Sequence, residues 1–193
     1  MFIFLWQFYI FLILLVIIRP ILTILNWKHI TKMSMGLDLK NILNKIRNEY
    51  LIEKKCLLKL EKNYKCICGG YNHFPKIIKS YDIFNTFVLT YHGNSCNNIK
   101  EKIKIKNSQK QINCIMQNLK RSNILHTDTV IYSRNSLKYK TIGRNICVDK
   151  NGVISLIDFG LVKIGKNIKE EEYEDLKKKI EIILKNNKYL ELK

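Results

Sequence analysis

Two short apolar runs around Asn151-Gly152 constrain the fold of this chain more than any other stretch. The stretch is Ile146-Cys-Val-Asp-Lys-Asn-Gly-Val-Ile-Ser-Leu-Ile-Asp-Phe-Gly160. Asn and Gly both tolerate the positive φ of a tight primed turn, so the pattern predicts a β-hairpin. Its second strand would deliver Asp158 to the tip, and Gly160 would let the backbone turn away. A carboxylate there suits an oxygen-coordinated cation such as Mg²⁺, although Asp158 can equally be a plain strand-end polar residue.

A second motif, His126-Thr127-Asp128, lies upstream, and Asn145 leads directly into the hairpin. This order, completed by Asp158-Phe159-Gly160, resembles the protein kinase superfamily. In that family a His-x-Asp loop supplies a base and an Asn, and Asp-Phe-Gly supplies the second metal ligand. The resemblance implies that Asp128 accepts a hydroxyl proton from the phosphate acceptor. It also implies that Asn145 and Asp158 hold Mg²⁺ beside ATP.

The interval between the two motifs departs from the family. Residues 129–144 separate Asp128 from Asn145, whereas the family motif has about four residues at this place. The extra residues can form a surface loop, which costs little closure entropy. Alternatively, the catalytic loop is damaged and the protein is not a working kinase.

The resemblance implies an α+β, two-lobed fold with a shortened N-lobe and a minimal C-lobe. Apolar residues recur at helical spacing over residues 37–60. Glu53 on this helix is similar to the regulatory-helix glutamate that pairs with a phosphate-binding lysine. Lys32 is the candidate lysine, but both residues can also be solvated surface charges.

The following segment is predicted to lead to the nucleotide. Residues 74–84 and 86–91 have the composition of two strands, and residues 88–93 would be the kinase-like hinge. There Leu89 would be the gatekeeper and Tyr91 would border the nucleotide.

Two further helices are predicted, one with Ser108 as its N-cap and one that begins near Glu170. After Gly160 the chain is too short for the usual large helical lobe. It has no Ala-Pro-Glu motif, and it contains no Gly-x-Gly-x-x-Gly phosphate loop.

Residues 1–18 are almost entirely apolar, and Arg19-Pro20 interrupts this run before residues 21–27. The chain is thus divided into a hydrophobic segment, 1–27, and a kinase-like domain, 28–193. The segment is long enough for an apolar helix that anchors the protein in a membrane. Positive charge follows it, so the kinase-like domain would be cytoplasmic. A signal peptide is disfavoured because no cationic start precedes the segment. Alternatively, the segment is not genuine, the chain begins at Met33 or Met35, and the protein is cytoplasmic.

Six cysteines include the pair Cys66-Ile67-Cys68, with His73, His92 and Cys96 nearby. A Cys-x-Cys pair lacks the ligand spacing of structural zinc sites, and Cys114 has the pattern of a small core residue. The sequence therefore favours free buried thiols in a reducing compartment over a zinc cluster.

Three classes of function follow from these observations. The first is an ATP- and Mg²⁺-dependent phosphotransferase, similar to serine/threonine protein kinases, with a protein or small molecule as hydroxyl acceptor. The second is a pseudokinase or nucleotide-binding scaffold, which the long loop and missing glycine loop favour. The third is a basic membrane-tethered protein that binds nucleic acid or acidic lipid, since the net charge is +18. No motif of a specific nucleic-acid module supports the third class.

Overall fold

The computed structural model describes residues 39–129, 131–133 and 140–193. The chain divides into two units, Met1–Lys45 and Ile46–Lys193, and the contacts discussed below lie within the second. The described part is α+β, as predicted. It has three α-helices: α1 (Leu39–Asn63), α2 (Ser108–Arg121) and α3 (Glu170–Asn186).

The strands are short and form small sheets. Their bounds are β1 (Ile77–Tyr81), β2 (Thr86–Leu89), β3 (Asn94–Ser95), β4 (Ile103–Ile105), β5 (Ile124–His126), β6 (Ile131–Ser133), β7 (Lys140–Ile142), β8 (Ile146–Val148), β9 (Ile154–Leu156), β10 (Val162–Ile164) and β11 (Leu190–Leu192). Strands β3, β8 and β9 form one antiparallel sheet in that order. The other described pairs are β1 with β2, β5 with β10 and β6 with β7, all antiparallel, and β4 with β11, which is parallel.

The predicted hairpin is formed by β8 and β9, with Ile146 opposite Leu156 and Val148 opposite Ile154. Its turn differs from the expected one, because only Gly152 has a positive φ, 78°, and Asn151 does not. The Asp149 carboxylate accepts hydrogen bonds from the amides of Asn151 and Val153 at 2.9 and 2.8 Å. The amide of Asp149 also donates to the carbonyl of Val153 at 3.1 Å. The loop therefore consists of residues 150–152, one residue more than a two-residue primed turn, and Gly152 takes the left-handed position that closes it.

The hairpin is held against α2 by a buried glutamine. Gln111 is 1% exposed, and its side-chain nitrogen donates to the carbonyls of Lys106 and Gly152 at 2.9 and 3.0 Å. Its side-chain oxygen accepts the amide of Ile154 at 2.9 Å. These bonds pair backbone groups at the turn that would otherwise be buried without partners.

The hydrophobic core lies where both strands of this hairpin meet the three helices. Helix α2 contributes a stripe of buried residues at helical spacing, and α3 contributes a second stripe. The core residues from these elements include Leu57 and Leu60 of α1, Ile112, Ile115 and Leu119 of α2, Ile146 and Val148 of β8, Ile154 and Leu156 of β9, and Leu176, Ile180 and Leu184 of α3.

Several element boundaries differ from the predicted ones. The helix expected over residues 37–60 continues to Asn63, and the strand expected over residues 74–84 is confined to Ile77–Tyr81. A 3₁₀ turn, Asp82–Phe84, follows that strand. At the start of α2 the cap position is taken by Asn107, with φ 52°, and not by Ser108, which is the first helical residue. Asparagine tolerates this left-handed backbone better than most residues do.

The long interval between Asp128 and Asn145 contains a β-hairpin. Strand β6 pairs with β7 in antiparallel register, with Ile131 opposite Ile142 and Ser133 opposite Lys140. Opposite residues in an antiparallel pair lie about 4.5–5.5 Å apart. The two ends of the interval, next to Asp128 and Asn145, therefore lie close to each other.

The prediction of a transmembrane helix is not supported. In the described ranges, 39–129, 131–133 and 140–193, no helix has the length and apolar character needed to cross a bilayer. Residues 1–27, on which the predicted membrane anchor was placed, lie outside these ranges, as does Lys32.

We expect Gln111→Leu to lower the free energy of unfolding by about 2–4 kcal/mol, because the substitution leaves buried backbone groups of the turn without partners. Urea denaturation of the purified protein measures this change. Gln109→Leu is the matched control, since Gln109 lies on the same helix but is exposed, and its effect should stay within about 0.5 kcal/mol. Equal effects of the two substitutions would contradict the structural role of Gln111.

Candidate functional site

Asp128 and Asn145, which are far apart in the sequence, are in direct contact. The side-chain nitrogen of Asn145 donates to the backbone carbonyl of Asp128 at 2.8 Å and to its carboxylate at 3.3 Å. Asn145 is 7% exposed and directly precedes β8. The β6–β7 hairpin thus allows the two residues to meet despite the length of the interval.

His126 connects the loop that carries Asp128 to the segment that carries Asp158. Its Nε2 atom lies 3.0 Å from the carbonyl oxygen of Ile157, which can only accept, so the proton is on Nε2. The Nδ1 atom is then free to accept the amide of Asp128, at 3.3 Å. Burial lowers the pKa of His126. The neutral ring therefore supplies one donor and one acceptor, and each has a partner.

Further hydrogen bonds join the same two segments. The amide and the hydroxyl of Thr127 both donate to the carbonyl of Leu161, at 3.3 and 2.9 Å. The amide of Ile157 donates to the carbonyl of Asn145 at 3.0 Å. Strands β5 and β10 continue the connection, with Val162 opposite His126. The backbone on both sides of Asp128 and Asp158 is therefore well fixed.

Asp158 has a left-handed backbone, with φ 61°. This conformation is uncommon for residues other than glycine, and aspartate is among those that adopt it most readily. It lies two residues after the end of β9, and the side chain of the next residue, Phe159, is fully buried. The Phe159 ring packs edge to face against His126, with ring centroids 4.9 Å apart. Burial of Phe159 thus fixes the chain direction immediately after Asp158.

Glu53 of α1 reaches the same segment, and its carboxylate accepts the amide of Phe159 at 3.1 Å. Burial raises the pKa of Glu53 to about 7, and the negative charges of Asp158 and Glu49 add to this increase, although the Phe159 amide opposes it. The site therefore gathers carboxylates whose mutual repulsion a cation would relieve.

The other predicted binding residues are placed as follows. Leu89 ends β2, is partly buried and pairs with Ile77 of β1. Tyr91 is 79% exposed, and its hydroxyl donates to the side chain of Asn94 at 3.2 Å. Lys32 lies outside the described residues, so its predicted pairing with Glu53 does too. Direct contacts join Asn145 to Asp128, and Glu53 to the amide of the residue after Asp158, whereas no described contact joins Leu89 or Tyr91 to these residues.

Sequence reasoning assigned no structural role to His126, Thr127 or Phe159, although all three belong to the motifs. His126 and Thr127 join the segment that carries Asp128 to the segment that carries Asp158, and Phe159 is buried directly after Asp158. The available signal was the burial expected of an aromatic residue that follows an apolar strand.

An open groove of about 340 Å³ borders the loop that carries Asp128. Thr127 and Thr129 line one side, and acidic residues of α3, including Glu171 and Asp175, line the other. Lys163 and Lys179 also line it and pair with α3 carboxylates. A hydroxyl-bearing molecule in this groove would lie next to the Asp128 loop.

Searches against protein-family models, curated proteins and solved structures gave no significant match to this chain.

We expect Glu53→Gln to remove a pH-dependent part of the stability. The free energy that protonated Glu53 contributes is fully present below pH 4.5, the ordinary pKa, and is lost as the pH rises through about 7. The difference in unfolding free energy between wild type and variant should change by up to about 3 kcal/mol between pH 4.5 and pH 8. Urea denaturation across this range measures it, and comparison with wild type cancels the contributions of the histidines.

Glu61→Gln on the same helix is the control, because Glu61 is exposed. Its unfolding free energy should follow that of the wild type across the same pH range. A Glu53→Gln profile parallel to the wild-type profile would show that Glu53 is ionised in the folded protein at acidic pH.

Proposed function

We propose that the protein is a kinase-like phosphotransferase that transfers the γ-phosphoryl group of ATP to a hydroxyl group. The observation that carries the proposal is the contact of Asn145 with Asp128 across a long insertion. The contact is not required to accommodate residues 129–144, so its presence supports a functional role for Asp128 and Asn145. The order of the motifs and the position of Asp158 after β9 agree with this activity.

The donor atoms at the site fit Mg²⁺, which prefers oxygen ligands. Asp158 offers a carboxylate, and Asn145 offers its side-chain oxygen because its nitrogen is used by Asp128. When bound with ATP, Mg²⁺ would neutralise charge on the phosphates. Burial is the main cause of the raised pKa of Glu53, and the negative charges of Asp158 and Glu49 contribute to it.

The role proposed for Asp128 is that of the base that accepts the proton of the attacking hydroxyl. The bond from Asn145 and the bond between its own amide and His126 orient this residue. Since positioning provides much of the rate in phosphoryl transfer, the fixed loops are the protein's own contribution. The acceptor, a protein or a small molecule, would approach along the groove beside Thr127 and Thr129.

Glu53 and Lys32 are proposed to orient the phosphates as an ion pair. An ammonium group beside Glu53 would favour its ionised form and lower its pKa. Formation of this ion pair would therefore release a proton from Glu53 near neutral pH.

A second candidate is a nucleotide-binding protein without turnover. Two observations favour it: the sequence has no glycine-rich phosphate loop, and Tyr91 of the expected hinge is exposed. Such a protein would keep the Mg²⁺-dependent binding of ATP but not the transfer.

We expect the full-length protein to incorporate radiolabelled phosphate from γ-labelled ATP in the presence of Mg²⁺, into itself or into a generic protein acceptor. Asp158→Asn should lower the rate at least ~100-fold, because it removes a charged metal ligand, and Asp128→Asn should lower it ~100-fold or more, because it removes the base. Glu101→Gln, an exposed carboxylate change, should leave the rate unchanged.

The melting temperature, measured with ATP and Mg²⁺ together, separates the two candidates. Phosphate incorporation that Asp158→Asn abolishes supports the phosphotransferase. A rise in melting temperature that requires Mg²⁺ and Asp158, without incorporation, supports the nucleotide-binding protein. The absence of both responses in correctly folded protein would overturn both.

A further inference from the structure

Three cysteines, two from the segment that follows α1 and one from α2, meet at one place. The sulfur atoms of Cys66, Cys68 and Cys114 all lie within 4.8 Å of one another. The Cys66 and Cys68 sulfurs are 3.5 Å apart. In a tetrahedral zinc site, where each Zn–S bond is about 2.3 Å, neighbouring sulfurs lie about 3.8 Å apart. The three sulfurs therefore already have nearly the spacing of a metal-bound set.

His73 is adjacent to this group, and its Nε2 atom contacts the sulfur of Cys68, but it does not lie within 4.8 Å of all three sulfurs. It is fully buried, and its Nδ1 atom lies 2.6 Å from the carbonyl oxygen of Ile154, to which it donates. The Nε2 lone pair is then directed at the Cys68 sulfur, 2.9 Å away. A bond from the second ring nitrogen to a backbone carbonyl is the usual support of a zinc-bound histidine.

The loop that carries two of the cysteines is fixed to α2 before any metal binds. The Asn118 side chain accepts the amide of Lys65 at 2.8 Å and donates to its carbonyl at 3.1 Å. The amide of Gly70 donates to the Cys66 sulfur at 3.1 Å. Amides directed at sulfur stabilise the thiolate, which is the form that binds metals.

We propose that this cluster is a structural zinc site, with Cys66, Cys68 and Cys114 as thiolate ligands. The Nε2 atom of His73, which contacts Cys68, would move toward the other two sulfurs and become the fourth ligand. Binding of Zn²⁺ displaces the thiol protons to solvent and involves no change of oxidation state. A set of three sulfurs and one imidazole is typical of zinc. All four ligands are protein groups, which indicates a structural site without an open position.

The sequence analysis favoured free thiols because Cys-x-Cys is not the usual zinc spacing and because Cys114 has the pattern of a core residue. Cys114 is fully buried, as predicted for a core residue, and its sulfur also lies within 4.8 Å of the sulfurs of Cys66 and Cys68. The other neighbours considered there lie elsewhere. His92 contacts Ser155 at 2.9 Å, and Cys96 belongs to the hydrophobic core.

The position of the site gives the metal a defined role. His73 contacts the carbonyl of Ile154 in β9, the strand that leads to Asp158, and the His73 carbonyl accepts the amide of Leu156 at 3.0 Å. The metal would therefore join the 66–73 loop, α2 and the hairpin. This inference is independent of the proposed phosphotransferase activity.

The test is metal analysis of the full-length protein, purified without chelator, followed by replacement of the metal with Co²⁺. We expect about one zinc per chain, and for the cobalt form a thiolate charge-transfer band together with the intense visible bands of tetrahedral Co²⁺. Cys68→Ser and Cys114→Ser should each weaken binding at least ~100-fold, because a hydroxyl is a poor substitute for a thiolate ligand. Cys147→Ser, at a buried thiol outside the cluster, should bind like the wild type.

His73→Gln tests the fourth ligand, because a change of ligand shifts the visible cobalt bands even if the variant is less stable. An unchanged spectrum would overturn the assignment of His73. Zinc binding that Cys68→Ser and Cys114→Ser leave intact, or a Cys66–Cys68 disulfide without metal in the protein as isolated, would overturn the site. A rise in melting temperature with Zn²⁺, absent in Cys114→Ser, would support its structural role.

Discussion

The arrangement of the candidate site depends on the protonation state of one buried imidazole. His126 holds the carbonyl of Ile157 with one nitrogen and the amide of Asp128 with the other. A doubly protonated ring would have no acceptor for the Asp128 amide, and the opposite tautomer would have no donor for Ile157. Burial against Phe159 lowers the pKa of His126 and thus disfavours the charged form. The relative position of the two acidic loops is therefore set by packing as much as by hydrogen bonds.

The acidic residues of the site are held in place against their own repulsion. Glu53 bonds to the amide that follows Asp158, which brings two carboxylates into electrostatic range of each other. Asp158 keeps an unfavourable backbone conformation, with φ 61°. Strain and repulsion of this kind persist only where the surrounding structure fixes them, and they are concentrated at functional sites. Bonds such as Ile157 to Asn145 and Thr127 to Leu161 provide that surrounding structure.

Much of the local structure could be predicted from the sequence because it depends on local patterns. The helices follow from apolar periodicity, and the hairpin follows from two apolar runs around Asn151-Gly152. Its turn was predicted with the wrong geometry, because the Asp149 carboxylate binds two turn amides and favours a longer loop. The motif order indicated Asp128, Asn145 and Asp158 as a group, but not the contact between the first two.

The features that could not be predicted from the sequence depend on contacts between segments that lie far apart in the sequence. Cys114 meets Cys66 and Cys68 only because Asn118, one helical turn further along α2, binds the backbone of Lys65. The roles of Gln111 and His126 have the same origin, since each is a polar residue whose partners lie on another element. Local periodicity describes such residues as core positions and gives no information on their partners.

Because β6 pairs with β7, the geometry around Asp128 and Asn145 does not depend on the length of the segment between them. Since β6 and β7 run side by side, the ends of these strands next to Asp128 and Asn145 stay together whatever number of residues connects the strands. The pairing of the two strands, and not the length of the interval, therefore determines how close Asp128 and Asn145 lie.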